Sequence, residues 1–308
     1  MKLQEAFKTS LDETRMQMLG VQVLFGFQFQ SLFQDSFDEL DASTRVVAAV
    51  GMGCMVATLA LLFTAPCRHR ITEEGEINER IFRVSGTYAN AALWSFIPGV
   101  GCDVYAALRQ PFGFGVALGV ATAACILAAG VWEALALALR RRWNTHPEET
   151  AMHAGATTLH SKIEDMLTEA RVILPGAQAL LGFQLLVTLS HAFSQLFPAA
   201  RVFHLVALGN LLLAIILLIA PAALHRMTFG GEDDARLHLL GSRIIAAALL
   251  PFAIALSCDV WIACMRLFED TAWASGLAVT TLAGLLCLWY AIPFALRRRR
   301  GRHHAAPD

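Results

Sequence analysis

Residues 211–220 read LLLAIILLIA, ten consecutive apolar residues without a charge or a polar interruption. A strand of a membrane barrel alternates apolar and polar side chains over about 10 residues, and this run does not alternate. The hydrocarbon core of a bilayer admits only helices or closed barrels, because unpaired backbone groups are costly there. The stretch therefore predicts a membrane-spanning helix and an all-α fold.

The rest of the chain has the composition of such a protein. Of its 308 residues, 56 % are hydrophobic and 16 % are charged, whereas about 25 % of an average soluble domain is charged. The net charge of −1 gives no basis for nucleic-acid binding. Runs of about 20 apolar residues can each cross a bilayer. They predict a polytopic protein with eight transmembrane helices: 16–37, 45–66, 84–106, 113–139, 172–194, 201–223, 240–264 and 272–296.

Basic residues are concentrated in alternate connections between these runs and in the terminal segments, which include Arg297–Arg300. The other connections carry one arginine each: Arg45, Arg109, Arg201 and Arg266. Loops rich in lysine and arginine stay in the cytoplasm. The pattern therefore predicts that both termini are cytoplasmic.

The first half of the chain recurs in the second half. Glu13-Thr-Arg15, followed by GVQVLFGFQ at 20–28, reappears 156 positions later as Glu169-Ala-Arg171 and GAQALLGFQ at 176–184. We therefore predict a tandem duplication of a four-helix unit. The first repeat, with an N-terminal amphipathic segment, is 1–142, a cytoplasmic linker is 143–161, and the second repeat, with a basic tail, is 162–308. An even number of spans per unit predicts parallel repeats forming a pseudo-dimer, related by a pseudo-twofold axis along the membrane normal.

The repeated pattern is E-x-R, then G-x-Q-x-L-x-G-F-Q, then A-P and H-R after the second helix. It resembles a bacterial four-helix integral membrane family that is catalogued as a domain of unknown function. The resemblance implies a location in the bacterial plasma (inner) membrane and members that are usually one repeat long. Some members are automatically labelled sodium:proton antiporters. This chain departs from the pattern in carrying two copies, and in placing Pro66 and Pro221 one position out of register.

Polar residues inside the apolar runs are the candidate functional residues, because ionisable groups at bilayer depth are costly. Asp103 and Asp259 lead, each in the outer third of the third run of its repeat. They either bind a cation or relay protons, or pair with Arg109 and Arg266 near the outer surface. Glutamines either line a polar path or hold helices together by hydrogen bonds. The other ion-pathway candidates are Gln22, Gln28, Gln178, Gln184 and Glu133.

A second candidate set lies where the second run of each repeat ends. Basic residues are favourable at a helix C-terminus, and these side chains pair either with nearby acids or with phosphates of anionic lipids. The set comprises His69, Arg70 and Glu76, and their counterparts His225, Arg226 and Glu232. His191 and His204 would clamp a haem only if both rings faced one cavity.

Several kinds of chemistry have no sequence support. The chain has no HExxH, no GxSxG and no glycine-rich phosphate loop, and its seven cysteines form no CxxC pair. We therefore predict no enzyme, no metal site and no cofactor. Two functions stay open. One is a cation or proton transporter or channel with a polar path at the repeat interface. The other is a non-catalytic scaffold or accessory subunit of a membrane complex. The expected partners are the lipid bilayer, with anionic lipids at the cytoplasmic face, and a further oligomer or complex subunit.

Overall fold

The computed structural model describes residues 3–131, 158–229 and 232–304, and every regular element in these ranges is helical. A five-residue π-helical segment, Cys287–Ala291, joins the last two long helices. Short helical turns occupy Asp35–Phe37 and His191–Ser194. The long helices are α1 (Leu3–Ser31), α2 (Ala42–Ile71), α3 (Glu79–Ala129), α4 (Leu159–Thr188), α5 (Pro198–Met227), α6 (Ala235–Phe268), α7 (Thr271–Leu286) and α8 (Ile292–His304).

The helix bounds repeat with the sequence. Helices α4, α5 and α6 each begin 156 positions after α1, α2 and α3. Helix α3 is broken at Gly113, whose φ of 78° and ψ of 175° are not helical and are open only to glycine. Its two arms, 79–112 and 114–129, therefore correspond to α6 and α7. At the equivalent break in the second copy, Glu269 is left-handed and Asp270 caps α7.

Six helical stretches in the described ranges are long and apolar enough to cross a membrane: α2, α3, α4, α5, α6 and the continuous stretch Thr271–Arg299. The chain is therefore a multi-pass helical membrane protein, as predicted. The predicted number of eight spans is not confirmed. Helix α1 is not among the six, and the two arms of α3 are counted as one.

Contacts between connections define two opposite ends of the bundle. At one end, which we call the acidic end, the connection 32–41 meets the ends of other helices. Arg266 lies 3.0 Å from Asp38, and Gln110 donates a hydrogen bond of 2.6 Å to Glu39. At the other end, which we call the basic end, Lys162 pairs with Glu76 and Arg297 pairs with Glu74. Basic residues in the last turns of α2 and α5 lie at the basic end.

The two halves share one hydrophobic core. Helix α1 packs along α4, and α2 contacts both α6 and the π-helical segment. Trp289, fully buried in that segment, donates a hydrogen bond of 3.0 Å to the carbonyl oxygen of Ala60 on α2. Phe63 packs between Trp289 and Phe252, with ring centroids 5.3 and 5.2 Å away.

The contacts that the first repeat makes with the second are not matched by equivalent contacts from the second repeat to the first. Helix α2 packs on the second repeat, but α5 makes no comparable contact with the described part of the first repeat. Gln22 of α1 packs onto Gly176 of α4, whereas their counterparts Gln178 and Gly20 are both exposed. A twofold axis would require both contacts of such a pair. The predicted pseudo-twofold axis is therefore not confirmed.

Candidate functional site

The same pair of polar side chains meets in both repeats. In the first repeat, the amide nitrogen of Gln28 on α1 donates a hydrogen bond of 2.5 Å to Asp103 on α3. In the second repeat, the amide nitrogen of Gln184 on α4 lies 2.9 and 2.8 Å from the two carboxylate oxygens of Asp259 on α6. The structure thus brings together aspartates and glutamines that the sequence did not link to each other. We call Gln28–Asp103 and Gln184–Asp259 the two carboxylate–amide pairs.

Each glutamine keeps one polar atom unused. The amide oxygens of Gln28 and Gln184 are buried and have no hydrogen-bond partner within the described part of the chain. A buried amide oxygen without a donor is costly, unless it faces a proton donor or a cation. Each pair therefore offers carboxylate oxygens and one amide oxygen, which are the ligand types preferred by hard cations.

The pair in the first repeat faces a cavity of about 350 Å³. The exposed residues Ser31, Gln34 and Gln110 lie on its wall toward the acidic end. The other lining residues are mostly apolar, and Gln28 and Asp103 supply polar groups among them. The apolar lining includes Leu24, Phe27, Ala48, Met52 and Ala106. Asp103 is consequently half-buried and reachable from this end of the molecule.

The pair in the second repeat is sealed. Asp259 is buried, and His204 occupies the position that corresponds to Ala48 of the first repeat. The His204 ring packs against Phe193 and Phe29, at centroid distances of 5.0 and 6.2 Å. Its Nε2 donates a hydrogen bond of 3.1 Å to the carbonyl oxygen of Gln184. Position 48 lines the cavity of the first repeat, and the equivalent position of the second repeat holds a buried imidazole instead of a methyl group.

Glycine brings α2 close to the open pair. A Cβ atom at Gly51 would lie 3.1 Å from a carboxylate oxygen of Asp103 and 2.9 Å from the Cβ atom of Cys102. The counterpart of Gly51 in the second repeat is Ala207, which is fully buried. The close approach of α2 to α3 at Asp103 thus depends on the absence of a side chain at position 51.

The remaining ion-pathway candidates do not join these pairs. Gln22 is buried against Gly176, and neither of its amide atoms has a hydrogen-bond partner among the described residues. Gln178 is exposed on α4, and Glu133 lies outside the described residues. The six described candidates therefore do not surround one cavity. The polar path expected at the repeat interface is not seen in the part of the chain that the structure describes.

Arg109 and Arg266 do not pair with the two aspartates, contrary to one expectation from the sequence. Arg109 lies 3.5 Å from Asp41, and Arg266 binds Asp38 and the carbonyl oxygen of Leu32. Both arginines thus tie the connection 32–41 to neighbouring helix ends. The carboxylate of Asp103 therefore accepts its hydrogen bond from Gln28 and borders the cavity.

A buried ionic cluster joins the two halves near the basic end. His69 donates a hydrogen bond of 2.6 Å to one carboxylate oxygen of Glu169, and Arg70 pairs with the other. Arg70 also donates to the carbonyl oxygen of Met166 at 3.3 Å. From the sequence, these basic residues were expected to pair either with nearby acids such as Glu76 or with lipid phosphates, and Glu169 was not among the candidates. The signal was present, because Glu169 begins the second E-x-R motif.

The counterparts of this cluster lie apart. Arg226 and Glu232 are exposed, His225 is half-buried, and Glu13, the counterpart of Glu169, is exposed. Glu76 pairs with Lys162. His191 is exposed while His204 is buried, so the two histidines do not face one cavity. In the described ranges, no group of three or more histidine, cysteine, aspartate or glutamate side chains could hold a metal ion.

The fold and its paired polar groups define a class: a helical multi-pass membrane protein built by tandem duplication. The model of the family described as "Family of unknown function (DUF6328)" matches residues 2–136 and again 155–293. The chain belongs to this family and carries two copies of its domain, which confirms both the duplication and the resemblance. No curated protein and no solved structure matches the chain.

Proposed function

We propose that this protein is a cation or proton transporter of the bacterial plasma membrane, with Asp103 as its ion-binding group. One observation carries the proposal: the carboxylate–amide pair occurs in both repeats, and the pair in the first repeat faces a cavity, whereas Gln184 and Asp259 of the second pair are buried. Ionisable residues at membrane depth are costly and are functional candidates by default. Helix packing alone does not explain a carboxylate in the wall of a cavity.

The chemistry of the pair suits a small cation. Gln28 holds the carboxylate of Asp103 through its N–H group and leaves its amide oxygen free for a ligand. A proton on Asp103, or a metal cation bound by both side chains, would neutralise the carboxylate. Because these two occupants exclude each other on one carboxylate, the site can exchange a proton for a cation.

We infer that the chain crosses the membrane eight times, with both termini in the cytoplasm. Leu11 of α1 packs near the basic end against Ile77 and Ile81, while Arg266 at the acidic end binds Leu32, just after α1. A helix of 29 residues rises about 1.5 Å per residue and is long enough to join the two ends. The break at Gly113 supports two crossings by α3. The basic end is then cytoplasmic.

Reconstituted vesicles test the transport proposal. The purified chain in liposomes is expected to move H⁺, Na⁺ or K⁺ along an imposed gradient, read with a pH-sensitive dye and a cation-sensitive dye. We expect Asp103→Asn to lower this flux at least tenfold. Asp259→Asn, in the sealed pair, should leave the flux within about twofold of the parent, because an amide at that position can still bond to Gln184.

A second pair of variants exchanges the residues that open and seal the two sites. Ala48→His places an imidazole where His204 stands in the other repeat, so we expect it to block the cavity and lower the flux at least tenfold. His204→Ala is the matched control and should not reduce the flux. Absence of flux from the parent chain for all three ions would contradict the proposal, as would full activity of Asp103→Asn.

A scaffold role is the second candidate, and Gln22 favours it. This side chain packs onto Gly176 between the repeats and does not line the cavity. Polar side chains beside small residues are common contacts between membrane helices. If the parent chain carries no flux yet copurifies with another membrane protein at constant stoichiometry from mild detergent, the scaffold role replaces the transporter.

A further inference from the structure

The contact between the two halves has two different faces. The first repeat contributes what we call the tail face: His69 and Ala60 on α2 and Gln22 on α1, which contact Glu169, Trp289 and Gly176, and the buried Ile71. The second repeat contributes what we call the head face, which includes Glu169 and Gly176 on α4 and the buried Val172 between them. Unlike faces in contact make a heterologous interface, which leaves one head and one tail unused.

The unused head face lies on the first repeat. Met16 is 71 % exposed, whereas its counterpart Val172 is 3 % exposed. Glu13 is exposed, whereas Glu169 is buried between His69 and Arg70. Gly20 has open space where Gly176 is covered by Gln22. These positions are spaced at about one and two helical turns, so they share one side of α1.

The unused tail face lies on the second repeat. Ile216 is 55 % exposed and Met227 is 84 % exposed, whereas their counterparts Ala60 and Ile71 are each 6 % exposed. His225 and Arg226 stand at the end of this face, where His69 and Arg70 bind Glu169 in the other copy. Gln178, the counterpart of Gln22, is exposed on α4.

We propose that the unused head of one chain binds the unused tail of a second copy of the same chain, with Glu13 seated between His225 and Arg226. An exposed apolar face in a membrane protein by itself indicates contact with lipid tails. Here the face ends in charged groups, and the complementary charge stands on the opposite free face of the same molecule. Both faces also repeat those already joined inside the chain. A heterologous contact of this kind extends until a ring closes.

Disulfide cross-linking separates this arrangement from its alternatives. Within the chain, a Cβ atom at Gly176 would lie 2.8 Å from that of Gln22, so α1 and α4 need only move apart by about 1 Å to reach the separation of about 3.8 Å in a disulfide. The Gln22→Cys/Gly176→Cys pair is therefore the control, and it should form a bond inside one chain, detected by protection from a thiol-reactive mass tag. The test pair is Gln178→Cys/Gly20→Cys. It places cysteines at the counterparts of the control positions, with the glutamine position now in the second repeat and the glycine position in the first.

We expect mild oxidation of membranes to convert the test pair into covalent dimers and higher oligomers. Their yield should exceed that of either single variant and of the parent at least tenfold. A disulfide inside one chain would instead support the twofold arrangement and overturn the proposal. Failure of the test pair to cross-link, in membranes where the control pair does, would show that these faces contact lipid and would also overturn it.

A charge exchange provides a second measurement that does not depend on added cysteines. Glu13→Arg should lower the oligomer fraction at least fivefold by native mass spectrometry in mild detergent, because it places a cation beside Arg226. Adding Arg226→Glu to the same chain should restore the oligomer. If Glu13 or Arg226 acts only on the folding of its own repeat, the Glu13→Arg/Arg226→Glu double variant should not recover the oligomer fraction. Neither measurement uses ion flux, so the proposal stands or falls independently of transport.

Discussion

Within the described ranges, the buried carboxylate of Asp259 receives its side-chain hydrogen bonds from Gln184 alone. Removing a donor from a buried polar group leaves the full cost of desolvation uncompensated, about 1 to 3 kcal/mol. Gln184→Leu should therefore lower the free energy of unfolding by about 2 kcal/mol, measured by denaturant titration in detergent. Gln28→Leu is the matched control. Since Asp103 faces a cavity that water can enter, we expect Gln28→Leu to lower the free energy of unfolding by less than half as much as Gln184→Leu does. Equal decreases for the two variants would contradict a sealed second site.

The cluster at Glu169 places one carboxylate against two basic side chains, all of them buried. Removing one partner of a buried ion pair typically costs about 3 to 5 kcal/mol, because it leaves an uncompensated charge. Glu169→Gln should destabilise the chain within this range. Glu13→Gln, at the exposed counterpart, should change the stability of the monomer by less than about 0.5 kcal/mol. A small effect of Glu169→Gln would mean that the cluster does not hold the halves together.

Individual polar residues were predictable from the sequence, but their partners were not. The aspartates and glutamines were recognised because polar groups at membrane depth are costly and recur at one offset. Which glutamine meets which aspartate depends on the rotation of α1 against α3, and packing determines that rotation. The exchange of Ala48 for His204 is visible in the sequence, but its meaning requires the position of Asp259.

At the scale of elements, Gly113 determines how α3 is divided. Its φ of 78° and ψ of 175° fall in a region that is essentially restricted to glycine. Gly113→Ala should therefore destabilise the fold by about 1 to 3 kcal/mol. Gly115→Ala is the control, because a Cβ atom there meets nothing within 4 Å and its backbone is helical. Thermal unfolding in detergent should separate the two variants, and equal melting temperatures would contradict a strained break at position 113.

The sequence placed a boundary between the runs 84–106 and 113–139, and the break lies at the start of the second run. Element ends were less predictable. Helix α4 begins at Leu159, inside the predicted linker, because Thr158 caps it by accepting the N–H of Ser161 at 3.3 Å. Helix α1 runs from Leu3 to Ser31 without interruption. The predicted N-terminal amphipathic segment and the first apolar run are one helix, since no glycine or proline separates them at their junction.

At the scale of the whole molecule, duplication alone does not determine how the copies pack. Two parallel repeats can meet through like faces around a twofold axis, or through unlike faces that leave a free head and a free tail. Both arrangements have the same sequence pattern, and only the buried partners of Glu169 and Gly176 distinguish them. The asymmetric contacts of Glu169 and Gly176 depend on which side chains pack against them, and periodicity does not reveal that.

The eight-span topology makes a prediction about both ends of the molecule. In intact cells, an impermeant maleimide should label Gln34→Cys and Thr271→Cys at the acidic end, and Glu232→Cys only after the membrane is permeabilised. A tag fused before Met1 should be protected from external protease. If α1 instead lay along the surface, the tag and position 34 would be on the same side, because no helix would separate them. Protection of the tag together with labelling at position 34 therefore requires that α1 cross the bilayer, and it also places the open end of the cavity that contains Asp103 on the outer side.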